Sequence, residues 1–245
     1  MKDILVIGDS CRDVYTYCKC DRLCPEVPAP VLNFSYEIEC GGMAKNVVAN
    51  IQSLNVKCDL LTNSDWHHVT KNRYVDADTN YMFIRVDSHT EVKPISLNDI
   101  NFDYKLIVIS DYDKGFLTSN DIDTICHSHS CVFLDTKKVL GDWAKEAKFI
   151  KINHTEYARS KKANAINDEL DSKIIRTAGP EGCFYDGRQY EVDKVEVKDV
   201  SGAGDSFMAG LAVEYLSTND IIDSISFANK CATTVVQKRG VSVVQ

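Results

Sequence analysis

Along its 245 residues the chain has no uninterrupted apolar stretch of roughly 18 residues, the length a membrane-crossing helix needs. Positive charge is in short supply. Lys and Arg number 28 against 36 Asp and Glu, giving a net charge of −8 and a pI near 5.3, which argues against a nucleic-acid footprint. No block of like charge is long enough to form a solvated tail. A secretory leader is not expected: Met1-Lys2-Asp3 leads into only four apolar residues before Gly8-Asp9. The ten cysteines therefore read as reduced thiols of a cytoplasmic protein. Cys18, Cys20 and Cys24 cluster, as do Cys126 to Cys131 with His127 and His129, but neither group has zinc-ribbon pairing, so no structural metal is expected. Internal repeats, low-complexity tracts and linkers are also missing. The first strand lacks the glycine-rich turn of a nicotinamide-binding fold.

What is present is an ordinary globular core, 44% apolar. Ile4 to Ile7 reads as a buried parallel strand. Residues 32 to 40 alternate apolar and polar, a half-exposed strand entered through Pro25, Pro28 and Pro30, which suits a sheet edge or a lid. Met43 to Leu54 carries Val47, Ile51 and Leu54 on one helical stripe. Lys57 to Thr62 is a strand, Asn63 to Lys71 is polar and irregular, and Arg73 to Val75 and Tyr81 to Val86 are exposed strands. From Lys105 strands alternate with helices: 106–109, 131–134, 149–152 and 173–177, with helices at 119–128 and 154–163. That alternation predicts a parallel sheet flanked by helices. A hairpin turns at Asp186-Gly187, and helices over 203–216 and 220–237 close the chain.

Chemistry concentrates in Asp199-Val200-Ser201-Gly202-Ala203-Gly204-Asp205, a small-residue loop that opens the helix from Ser206. Free backbone N–H groups at such a helix start favour a bound anion, and Asp205 beside it can take a proton from an attacking hydroxyl. A glycine turn with an aspartate cap reads equally well from this string alone. Two more segments matter: Gly41-Gly42-Met43-Ala44-Lys45-Asn46, and Thr177-Ala178-Gly179-Pro180-Glu181-Gly182.

In order and spacing the three segments resemble the ribokinase-like (PfkB) carbohydrate kinases. A closer resemblance is to D-glycero-D-manno-heptose 7-phosphate kinases, the kinase half of a bifunctional enzyme. It lies in Gly8-Asp9-x3-Asp13-x-Tyr15, Pro25 to Val31, Ser110-Asp111-Tyr112-Asp113-Lys114-Gly115, Asn153-His154-Thr155-Glu156, Phe227-Ala228-Asn229 and Gly240 to Val244. Nothing matches the nucleotidyltransferase half. The resemblance implies a three-layer α/β/α domain over 1–245 with a mostly parallel central sheet. Into it a small β-lid, formed by about 11–40 and 72–92, is inserted.

By the same resemblance Asp205 is the general base, and the backbone N–H groups of Gly202, Ala203 and Gly204 form the anion hole. Asn153 and Glu156 place Mg²⁺ through waters, with a helix capping box as the plainer reading. Thr177, Gly179 and Gly182 touch ATP, and Asn229 borders the adenine pocket. Asp199, Ser201, Gly240 and Ser242 fall where many relatives hold a monovalent cation, K⁺ for example. Asp9 and Asp13 follow the first strand at an open-sheet ligand position, with Gly41, Gly42 and Asn46 facing the same crevice. Arg85 and Lys114 are candidates for a substrate phosphate. The expected reaction joins ATP and a phosphorylated heptose, with a homodimer formed through the lid. A kinase for another sugar, phosphosugar or nucleoside stays open, as does a non-catalytic nucleotide- or sugar-binding protein. The chain departs from the family pattern in its short 63–71 segment, in Lys45, and in Thr136-Lys137-Lys138 after Asp135.

Overall fold

The structure is a computed structural model and describes residues 2–88 and 92–244. The expected lid stretch 72–92 therefore lies outside the described residues at 89–91. In chain order the elements begin with β1 (Lys2–Gly8), β2 (Ser10–Leu23), β3 (Pro30–Met43) and α1 (Ala44–Ser53). Next come β4 (Cys58–Thr62), β5 (Thr70–Asp76), β6 (Met82–Asp87), β7 (Tyr104–Asp111) and α2 (Ser119–Ser128). Then follow β8 (Val132–Thr136), β9 (Phe149–Asn153), α3 (His154–Lys162), α4 (Asp168–Asp171) and β10 (Ile174–Thr177). The hairpin strands β11 (Cys183–Tyr185) and β12 (Arg188–Tyr190) precede α5 (Ala203–Thr218) and α6 (Ile221–Val236).

The eight-stranded sheet runs β12-β11-β10-β9-β8-β7-β1-β4 and is parallel from β4 to β10; the hairpin adds two antiparallel strands at one edge. Its strands are apolar on both faces because both are covered. Ile7, Ile109, Leu134 and Ile150 face a layer holding Ile122 and Ile125 of α2. Val6, Val108 and Phe133 face Val47 of α1, Met208 and Leu211 of α5, and Ile225 of α6. The class is α/β, a mostly parallel sheet flanked by helices as the strand–helix alternation predicts, in the three layers that the resemblance implies. Helix α5 is apolar nearly all round because it lies between sheet and α6. Gly210 permits the close approach: a Cβ there would lie 2.7 Å from Cys231 Sγ.

A second sheet, β3-β2-β5-β6, stands beside the first. Strand β2 falls within the expected lid stretch 11–40, but its residue pattern does not mark it out as a strand. It lies mid-sheet, and its buried residues include Asp13, so no clean polar–apolar alternation marks it. The segment 63–71, expected to be irregular, forms a short 3-10 turn at Trp66–His68 and enters β5 at Thr70. Lys45 answers that shortening: its ammonium sits 3.7 Å over the Trp66 ring. All ten cysteines are unpaired. Among the described residues no helix is long and apolar enough to cross a membrane.

Candidate active site

The site is built where the strand order reverses. Strand β1 has β4 on one side and β7 on the other, and chain connections leave in opposite directions, opening a crevice at the carboxyl ends. Helix α5 begins at this crevice with Gly202, Ala203 and Gly204, and Asp205 in its first turn is buried. Asn46, in the first turn of α1, donates from Nδ2 to Asp205 Oδ2 at 2.8 Å. The Tyr112 hydroxyl donates to Asp205 Oδ1 at 2.6 Å. Burial raises the Asp205 carboxyl above its ordinary range, against the two hydrogen bonds that favour its charged form. Burial, then the Asp205 charge, raises Tyr112 well above its usual value, so its hydroxyl remains a donor. A buried carboxylate with a raised pKa and oriented partners is equipped to accept a proton.

At the ends of β8 and β9 lies a run of alternating charges. Lys151 bonds Asp135 at 2.7 Å, and both are buried. Lys137 stands 3.9 Å from the other Asp135 oxygen and 2.7 Å from Glu156. Burial pulls the Lys137 ammonium down, but Asp135 and Glu156 outweigh it and hold it charged. Glu156 also takes part in a capping box: Asn153 Oδ1 accepts from the Glu156 N–H at 2.9 Å, and Glu156 Oε2 accepts from the Asn153 N–H at 2.7 Å. The capping box is thus present, and the other oxygen of Glu156 pairs with Lys137. Among the described residues no three His, Cys, Asp or Glu side chains converge as metal ligands. A single carboxylate suits a metal that keeps its own water. The variant segment after Asp135 is accounted for as well: Lys138 bonds Asp111 and Asp113, and Thr136 bonds Asp111.

Beside the α5 start is a cavity of about 330 Å³ that brings together Thr177, Gly179, Gly182, Ala203, Gly204 and Asn229. Asn229 donates to the Tyr190 carbonyl at 3.0 Å. A cavity of about 420 Å³ opens elsewhere, lined by Tyr157, Arg176 and Phe184, and contains none of the expected site residues. Asp199 ties two loops together by accepting from the Ser201 N–H at 2.8 Å and the Gly240 N–H at 3.1 Å. Ser242 donates to the Arg239 and Gly240 carbonyls at 3.3 and 3.4 Å. These bonds link Asp199, Ser201, Gly240 and Ser242 into one loop cluster.

On the crevice side facing the small sheet, one expectation is corrected. Asp9 has no exposed surface, and its two oxygens accept from the Tyr112 N–H at 2.7 Å and the Phe116 N–H at 3.4 Å. It shapes the 112–116 turn and is closed off from a sugar. Burial, with Asp111 nearby, raises its carboxyl to about 6. Asp13 pairs with Arg73, and Gly42 abuts both Asp13 and Cys11, while Gly41 meets the Lys45 stem. Arg85 pairs with Asp87 through two nitrogens at 2.7 and 2.5 Å. Lys114 is exposed on the 112–116 turn. Arg85 above all, helped by Lys71 and Lys114, keeps the Asp87 carboxyl below its usual range. Lys71, Arg73, Tyr112, Asp135 and Lys151 are among the residues that sequence reasoning passes over. Lys71 is buried, with its ammonium 4.7 Å from the Tyr112 ring centre, and burial lowers its pKa. Lys71 and Arg73, two residues apart on β5, share the inward face; that charged alternation was the available signal.

Residues 73–244 match the model of the pfkB family carbohydrate kinases. The chain belongs to that family. It is a phosphotransferase, and the relatives agree. It is 29% identical to the bifunctional protein HldE of a Nitratiruptor species, over 97% of this chain and 62% of that protein. It is 27% identical to a D-beta-D-heptose 7-phosphate kinase of Bordetella bronchiseptica, over 98% of this chain and 93% of the relative. The kinase thus spans about three fifths of the bifunctional relative. Among solved structures, a Methanocaldococcus jannaschii nucleoside kinase of the ribokinase family superposes with TM-score 0.73 at 17% identity, covering 98% of this chain and 93% of its own. An Arabidopsis thaliana ribokinase complexed with ribose and ATP gives 0.72 at 14% identity, with 98% and 94% covered. The fold is ribokinase-like.

Proposed function

We propose that the kinase transfers the γ-phosphoryl group of ATP to the anomeric hydroxyl of D-glycero-D-manno-heptose 7-phosphate. The observation that carries the reading is the buried Asp205, oriented by Asn46 and Tyr112 and next in the chain to Gly204, which lines the 330 Å³ cavity. ATP lies in that cavity against Thr177, Gly179, Gly182 and Asn229. The acceptor hydroxyl takes the place of the Tyr112 hydroxyl and gives its proton to Asp205 as its oxygen attacks phosphorus. The N–H groups of Gly202, Ala203 and Gly204 take up charge on the transferred group. Asn153 and Glu156 would hold the hydrated Mg²⁺ that accompanies ATP and neutralises phosphate charge when bound. Asp199, Ser201, Gly240 and Ser242 would hold K⁺. A phosphorylated acceptor is favoured because four cations, Lys71, Arg73, Arg85 and Lys114, share the lid side with two carboxylates, Asp13 and Asp87. The name of the Bordetella bronchiseptica relative supplies the heptose. Two copies meet through the outward face of the small sheet.

The test is ADP release from Mg-ATP with a panel of sugars and sugar phosphates. Turnover is expected with heptose 7-phosphate, falling by roughly 10²–10⁴-fold in Asp205→Asn. Turnover confined to an unphosphorylated sugar or a nucleoside would exclude the phosphate reading of the four cations.

A further inference from the structure

Strand β9 carries a lysine where a buried parallel strand should be apolar, and β8 sets an aspartate at the register position beside it. Lys151 is 3% exposed and Asp135 is 2% exposed. Such a pair has little stability rationale: removing two charges from water is costly, and apolar substitutes of similar volume are often as stable or more so. Its position gives the rationale instead. A Cβ on Gly204 would lie only 2.9 Å from Lys151 Nζ, so the ammonium rests against Gly204 at the end of the 202–204 loop. Glycine at 204 is what leaves it room. Asp135 holds that ammonium through one oxygen, and its other oxygen has no hydrogen-bond partner among the described residues and faces Lys137 at 3.9 Å. The ammonium thus lies between the Asp135 carboxylate and Gly204.

We infer that Lys151, fixed by Asp135, supplies a buried positive charge at the 202–204 loop that stabilises the phosphoryl group in transfer. The inference rests on the kinase reading of this loop and adds a residue to it. During transfer the acceptor oxygen–phosphorus bond forms, the bond from phosphorus to the bridging oxygen of ADP breaks, and the acceptor proton goes to Asp205. Lys151 keeps its proton throughout. Its charge is most effective where water is excluded and where the equatorial oxygens carry their greatest charge. The same field acts on Asp205, whose acidity Lys151 increases and Asp135 decreases, after the larger effect of burial.

The test uses two double variants that remove both charges together: Lys151→Met with Asp135→Leu, and Lys151→Gln with Asp135→Asn, the second keeping a hydrogen bond in place of the ion pair. Folding is checked by thermal melting. Two readouts follow: the split of kcat from KM with Mg-ATP, and the binding of ADP with aluminium fluoride, a mimic of the phosphoryl group in transfer, against ADP alone. We expect a fall of about 10²-fold in kcat and in affinity for ADP–aluminium fluoride, with ADP affinity and KM for ATP nearly unchanged, as for loss of one preorganised charge. Analogue binding as tight as in the unaltered protein, in whichever variant folds, overturns the inference, as does an equal loss of ADP affinity. The binding readout needs no sugar. A wrong choice of acceptor therefore shows as an unaltered protein that turns over nothing on the panel, and still leaves Lys151 to be judged.

Discussion

Two buried aspartates of the crevice differ only in what surrounds them. Asp205 accepts from side chains that a ligand can displace, whereas Asp9 accepts from backbone N–H groups that cannot leave. Asp9 titrates near 6 in the folded chain, above the roughly 4 of an unfolded aspartate. Between those values the folded protein holds a proton that the unfolded chain has released. Stability from this group therefore falls as pH rises through that window and levels off above it. Unfolding free energy measured from pH 4 to 7 should show this fall in the unaltered protein and not in Asp9→Asn, the gap changing by about 3 kcal/mol. A parallel pair of curves would refute it. Asp205 stood out in the sequence only through the family resemblance, since small residues and one carboxylate at a helix start read equally well as a capped turn. Lys71 and Lys151 were not, since a lysine reads as solvated surface until the strand facing it is known. Asp9 looked like a ligand because position after a first strand says nothing of which backbone amides will turn toward it.

At the level of elements, apolar strands and capped helices of the large sheet were plain, because one composition serves both buried faces. Strand β2 was hidden: its inward residues include Asp13, and its paired neighbours bury it regardless of composition. The small sheet has two unlike faces. Lys71, Arg73 and Arg85 look inward; Val14, Tyr74, Ile84 and Val86 share the other face by register. Ile84 is 54% and Val86 47% exposed. Apolar side chains so exposed on a sheet face suit contact with a second copy. Sedimentation should give twice the 27.5 kDa chain mass, and Ile84→Lys with Val86→Lys should give the chain mass alone. A monomer at every concentration in the unaltered protein would remove the lid from the dimer reading.

At the scale of the whole molecule, side chains from both sheets meet at one ring. Lys71 of the small sheet lies over Tyr112, Lys137 of the large sheet lies 5.2 Å from the centre of the same ring, and its hydroxyl rests on Asp205. On the proposed reading, a substrate phosphate that draws Lys71 would act on the tyrosine that covers Asp205. This bears on how the molecule behaves when nucleotide is plentiful and sugar is scarce. Water is smaller than any sugar and always at hand, so an uncovered base beside bound ATP would spend it on hydrolysis. Here the Tyr112 hydroxyl already sits on the Asp205 oxygen that such a water would need, and on the proposed reading this keeps bound ATP from hydrolysis. Removing that hydroxyl should unseal the base: Tyr112→Phe should release ADP without any acceptor several-fold faster than the unaltered protein, and an unchanged acceptor-free rate would show that the phenol is no stopper.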